Sequence, residues 1–189
     1  MSRSQRTFWR SLRLALAAVG LGACTADAPT ALSPGDASPA LLTDLFVKYP
    51  LERKSVLPED VSVSATIGRQ GGRILLADQG FTLVVPRGAV RRDTRFTVTA
   101  VAGKMVAYEF EPHGTIFSVA LVATQDLGKT VYRPRLLSSL VAGYFIDRGQ
   151  LLQRDGTVLL NELLQGVTSP LTGDFKWSIE HFSGYIVAF

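Results

Sequence analysis

His181 and Ser183 are the pair in this sequence whose types and spacing come closest to a reaction. A serine hydroxyl can attack the carbonyl of the residue before it, here Phe182, through a five-membered ring. Water then hydrolyses the resulting ester, provided a base takes the hydroxyl proton and the peptide is strained. On an extended strand, residues two apart face the same side, so the His181 imidazole can approach the Ser183 hydroxyl as that base. The alternation hints at strain, because Trp177 and Ile179 put odd positions in the core while Phe182 is even. A bulge or bend near Gly184 resolves the conflict. The plainer reading is that the bend only seats Phe182 and that Ser183 bonds to backbone, with no catalytic residue in the chain.

The remaining chemistry-bearing residues point away from catalysis. Glu109 and Glu111 share a face of a strand, but a glycosidase needs its carboxylates across a cleft, and these read as solvated. His113 falls in a Pro-x-Gly turn and reads as a loop histidine. Arg87, Arg91, Arg92, Asp93 and Arg95 form a charged loop that can touch lipid headgroups or an anionic polysaccharide. Trp177 and Ile179 read as core. Nucleophile-elbow, zinc-helix, Walker and dinucleotide motifs are all missing. One cysteine and two histidines leave no four-ligand zinc site of the usual Cys/His kind. No cofactor and no metal are expected.

Charge placement removes another class. Four of the 20 basic residues, Arg3, Arg6, Arg10 and Arg13, precede Cys24 with no acid among them, and the remaining basic side chains match the 16 acidic ones. A neutral body lacks the phosphate-neutralising excess of a nucleic-acid binder. The arginines lead into an apolar stretch, Leu14 to Ala23, too short to span a bilayer and shaped like a signal peptide. Its end, Leu21-Gly22-Ala23-Cys24, resembles the lipobox of bacterial lipoproteins. That resemblance implies cleavage after residue 23, a diacylglyceryl group on the Cys24 sulfur and an acylated new N-terminus. Two or three acyl chains hold a protein on a membrane persistently, and Thr25 in place of an aspartate favours outer-membrane sorting.

The elements that must position these residues are read as follows. Residues 24–60 form the lipidated cysteine and a flexible linker, with Pro29, Pro34 and Pro39 in a composition too polar and small to fold. Leu41, Leu42, Leu45 and Phe46 can make one amphipathic turn. From Val61 to residue 189, period-two alternation broken by Gly, Pro and Asp predicts short strands and tight turns. Strands are expected at 61–67, 74–76, 81–85, 95–101, 106–110, 117–123, 140–146, 151–153, 158–160, 175–179 and 185–189. One helical turn is expected within Gly88 to Arg92, another around Asn161 to Leu164, and a loop at Pro170. Asp155-Gly156 predicts a two-residue type I′ hairpin. The spacing is that of an all-β antiparallel sandwich.

Two segments resemble the ZU5 domain, an all-β module. The first runs from Ala65-Thr66-Ile67-Gly68 through Gly71-Gly72 to Leu83-Val84-Val85-Pro86-Arg87-Gly88-Ala89-Val90. The second is Tyr108-Glu109-Phe110-Glu111-Pro112-His113-Gly114-Thr115-Ile116-Phe117. The ending His181-Phe182-Ser183-Gly184-Tyr185 is similar to that of bacterial lipoproteins carrying the module. In adaptors with this domain, His-Phe-Ser marks self-cleavage between Phe and Ser, here Phe182 and Ser183. No UPA or death domain follows, which separates the chain from the eukaryotic receptors. The expectation is a lipid-anchored envelope module that binds a protein or polysaccharide without enzymatic activity. The alternatives are self-cleavage at His181-Phe182-Ser183, or small-ligand carriage in a cavity.

Overall fold

The computed structural model describes residues 46–133 and 140–189. The signal stretch, Cys24, the proline-punctuated tether and Leu41, Leu42 and Leu45 lie outside the described residues. The described chain is almost wholly β. Its strands are β1 Val47–Lys48, β2 Glu52–Leu57, β3 Val61–Ile67, β4 Gly72–Leu76, β5 Phe81–Val85, β6 Thr94–Ala100 and β7 Gly103–Met105. They continue as β8 Ala107–Glu111, β9 Ile116–Asp126, β10 Val141–Phe145, β11 Val158–Leu159, β12 Glu162–Ser169, β13 Asp174–His181 and β14 Gly184–Ala188. The only described α-helix, α1 Arg148–Leu151, is a single turn capped by the Asp147 side chain, which accepts from Gly149 N.

Ten strands form one antiparallel sheet in the order β3-β6-β8-β14-β10-β12-β13-β9-β5-β4. Its two end strands, β3 and β4, are neighbours in the chain, so the sheet curls until its ends meet at the Gly71-Gly72 turn. The result is a flattened, nearly closed sandwich. One wall is β3-β6-β8-β14-β10 and the other is β13-β9-β5-β4, with β12 pairing into both. The expected all-β antiparallel sandwich is therefore the fold.

Alternation explains the walls. Phe96, Val98 and Ala100 of β6, Phe81, Leu83 and Val85 of β5, and Phe175, Trp177 and Ile179 of β13 are buried in one cluster. Ser62 and Ser64 face Thr99 and Thr97 on the outside, hydroxyl to hydroxyl. Burying a large apolar side chain contributes about 1.5–3 kcal/mol, so the inward stripes hold the two walls together. Strand β14 breaks the rule because both its faces are covered. Tyr185 and Val187 face the main core, while Ile186 and Ala188 join a second cluster with Phe145, Leu151, Val158 and Leu160. Gly88 and Gly114 take positive φ, 84° and 72°, as their Pro-x-Gly settings require.

Five readings need correction. The linker expected to reach residue 60 is ordered from Phe46: β1 pairs with β11, β2 pairs with β7, and Leu51 is fully buried. The helical turn expected at Asn161 to Leu164 is instead the start of β12, whose Gly166 leaves room for the Phe175 ring. Residues 151–153 do not form a strand, since Leu151 ends α1 and only Leu152 bridges to Val158. Asp155-Gly156 lies in a three-residue loop closed by Gln153 N on Thr157 O, with Gly156 at φ 84°, instead of a two-residue turn. The Gly88 to Arg92 segment makes turns without helix.

Candidate functional site

At one end of the sandwich the Pro112–Thr115 turn between β8 and β9 is tied to the chain linking β13 and β14. Gly114 N donates to Phe182 O at 3.0 Å, Phe182 N to Thr115 O at 2.8 Å, and Phe110 N to Ser183 O at 2.9 Å. These bonds, together with Thr115 Oγ1 on Pro112 O, fix the turn against the body. Beneath it Phe182 is buried edge-on against Phe96 and Phe117, with ring centroids 4.9 and 4.8 Å away, and stacks on Phe110. The ladder slips here: Ile179 lies opposite Leu121, but His181 lies opposite Ile116. This irregularity sits just before His181, a few residues earlier than the sequence places it, and it is what turns the even-numbered Phe182 inward.

Beside the turn lies an open hollow of about 710 Å³ that contains both histidines of the chain, His113 and His181. Tyr144, Glu180 and two isoleucines complete its walls. Ile116 is 82% exposed and Ile146 67% exposed, unusual for side chains that gain from burial.

The His181 imidazole is engaged by residues other than Ser183. Its Nδ1 is 3.3 Å from the Tyr185 hydroxyl, its Nε2 is 3.5 Å from a Glu162 carboxylate oxygen, and the Tyr144 ring stands perpendicular to it at 4.8 Å. Tyr185 donates to the His181 carbonyl at 2.7 Å. Burial, reinforced by the negative Glu162 and by Tyr144 and Glu180, pushes the Tyr185 phenol well above its ordinary value. Ser183 is buried, and its Oγ donates to Phe145 O at 3.2 Å. The hydroxyl and the imidazole are thus held by different partners, and no hydrogen bond joins them. One feature suits attack on Phe182: its carbonyl oxygen already accepts the Gly114 N–H, where negative charge would develop.

The other candidates lie apart from this hollow or at its rim. Glu109 is held by Arg148, which also bonds Asp60 at 2.8 Å, so Glu109 and Glu111 do not face each other across a cleft. The Ala102 N–H and then Arg148 hold the Asp60 carboxyl below its usual range. Arg87, Arg91, Arg92, Asp93 and Arg95 are largely exposed, and among the described residues none of them forms an ion pair. Arg95, Glu111 and His113 line a smaller hollow on the other side of the turn. Trp177 and Ile179 are core residues. Among the described residues no three His, Cys, Asp or Glu side chains converge as a metal-ligand set.

Sequence reasoning missed Tyr144, Ile146, Glu162 and Glu180 as neighbours of His181. The signal was faint: Tyr144 and Ile146 end a strand that reads as ordinary core, and Glu162 lies on the unrecognised β12. No family model matches the chain, and no curated protein matches it. The ZU5 resemblance therefore stands on the residues quoted for it. No described helix is long and apolar enough to cross a membrane.

Proposed function

We propose that this chain is a lipid-anchored module of the bacterial cell envelope, fixed to the outer membrane through Cys24, whose ZU5-like sandwich binds an envelope protein or wall polysaccharide. The observation that carries the binding role is the hollow beside the Pro112–Thr115 turn. Its floor is fixed by main-chain hydrogen bonds, yet it leaves Ile116 and Ile146 in water beside Tyr144 and two imidazoles. A rigid surface with solvated apolar side chains and convergent polar groups is the anatomy of a recognition site.

Two experiments test this reading. Detergent-phase partitioning of the wild-type chain and of Cys24→Ser tests the anchor; a wild-type chain that stays in water with a free thiol overturns it. Binding to separated wall-polymer and envelope-protein fractions, wild type against Ile116→Asp with Ile146→Asp, tests the hollow. Equal binding by both chains overturns it.

The alternative, self-cleavage between Phe182 and Ser183, has the Gly114 N–H on the Phe182 carbonyl in its favour. Against it stand a hydroxyl committed to Phe145 O and an imidazole turned to Tyr185 and Glu162. Intact mass under denaturing conditions decides: loss of Ser183 to Phe189, abolished by Ser183→Ala, would establish cleavage.

A further inference from the structure

The ten-stranded sheet ends on β3 and β4, and the two ends are built differently. Strand β4 is five residues long, begins at Gly72 and carries Arg73, so brevity and charge guard it as they guard many sheet edges. Strand β3 has no such guard. It is seven residues long, Val-Ser-Val-Ser-Ala-Thr-Ile, with no charge, proline or glycine. It pairs with β6 without a register shift from Val61 opposite Ala100 to Ile67 opposite Thr94. Among the described strands only β6 pairs with it. A regular, uncharged edge offers a row of unpaired N–H and C=O groups to any strand that reaches it.

Burial marks the same edge as unfinished. The inward side chains of β6, Phe96, Val98 and Ala100, are fully buried, yet Val61, Val63 and Ala65 on neighbouring β3 are only half-buried. One more strand alongside β3 would cover them.

The sequence of β3 suits a second copy of itself. Laid antiparallel about a two-fold axis through Ser64, two β3 strands set Val61 opposite Ile67, Ser62 opposite Thr66, Val63 opposite Ala65 and Ser64 opposite Ser64. Every pair matches, because side chains alternate and this axis keeps apolar residues on the core face and hydroxyls on the outer face. The outer hydroxyl pairs Ser62–Thr99 and Ser64–Thr97, at 2.7 and 2.8 Å, would continue across the junction into the second copy. Charge picks the register. The same axis sets Glu59 of each copy towards Arg69 of the other; both residues are exposed, and neither forms an ion pair among the described residues. Moving the axis to Val63 or Ala65 would leave Arg69 opposite Leu57 or Val61 and shorten the overlap.

We propose that β3 is a dimerisation edge: two copies of this chain pair β3 to β3, antiparallel about Ser64, and join their sheets into one continuous wall. The contact is isologous, so it closes at two chains. It depends neither on the Cys24 anchor nor on the hollow at His181.

Cysteine cross-linking of the full chain tests the proposal. Ser62, Ser64 and Thr66 are exposed, so substituting them leaves the core untouched. Directly opposite residues of an antiparallel pair stand about 4.5–5.5 Å apart at Cα, within disulfide reach, so Ser64→Cys should give a disulfide-linked dimer on mild oxidation. The wild-type chain, with Cys24 alone, sets the baseline. Differently tagged Ser62→Cys and Thr66→Cys chains should link to each other but not to themselves, since like positions would lie about 13 Å apart, four residues of strand rise. Glu59→Arg should weaken the Ser64→Cys dimer by about tenfold, and adding Arg69→Glu should restore it, which a mere loss of folding would not do. No Ser64→Cys dimer above the baseline overturns the proposal. Equal linking in every cysteine combination, a link to a different protein in place of a second copy, or no recovery in the charge swap overturns it as well.

Discussion

The two ends of the sandwich bury different things. At the His181 end the interior is a stack of rings, Phe96, Phe110, Phe117 and Phe182, and every polar group around Ser183 that would matter for chemistry is held by a fixed partner. At the opposite end the interior carries the Arg53 guanidinium, the Tyr108 phenol and the Gln125 amide in one network. Among the described residues that guanidinium has no ion pair, and its Nε–H is unbonded. Reactive residue types in sequence are thus a poor guide to unmet chemical demand. His181, Phe182 and Ser183 look like a cleavage site and are largely satisfied, whereas Arg53 looks like a surface charge and is not.

Breaking the aromatic end should have the largest effect. Phe182→Ala removes a ring packed against three others and should lower stability by about 3–5 kcal/mol, read from urea unfolding. A loss below about 1 kcal/mol would mean that the stack does not hold this end together.

Alkaline unfolding sharpens the contrast at the polar end. Burial pushes the Tyr108 phenol up to about 12, with Arg53 opposing in part. A raised phenol favours the neutral form in the folded state. Its contribution is therefore complete below pH 10 and is lost as pH rises from 10 towards 12, roughly 2–3 kcal/mol in all. Tyr185, also raised, adds to the same fall. Tyr108→Phe should flatten much of this dependence, and an unchanged slope between pH 10 and 12 would contradict the burial of the phenol.

A smaller effect is expected where β14 crosses under Phe145. A Cβ at Gly184 would run into the Phe145 ring, so Gly184→Ala should cost about 1–3 kcal/mol as the ring is displaced. The smallest is at the groove rim: Ile116→Ser and Ile146→Ser should change stability by less than about 0.5 kcal/mol. Any loss of envelope binding in these variants is then a loss of contact and not of fold.

Most of the main sheet was legible because its strands have one wet face and one dry face. Val61 to Ile67, Phe81 to Val85 and Thr94 to Ala100 announce themselves by period two. Strand β12 was hidden because its residues are nearly all half-exposed or exposed, so neither face carries an apolar stripe. Strands β1 and β2 were hidden because each draws its order from a remote partner, β11 or β7. The burial of Arg53 was invisible for the same reason. In the sequence Glu52-Arg53-Lys54 is a solvated charge run, and only the long-range return of β7, β8 and the Gly128–Lys129 segment makes it an interior. At the other end, the residues His181 and Ser183 could be picked out but their partners could not, since Phe145 O and Glu162 arrive through β10 and β12.

The position of β14 in the sheet fixes an order of events. It is the last of the described strands, yet it stands between β8 and β10 with both faces buried. Until Gly184 to Ala188 are available, β8 and β10 have unpaired edges, and neither apolar cluster can close. Closing both clusters therefore depends on pairings between strands far apart in sequence, the kind of contact that slows folding.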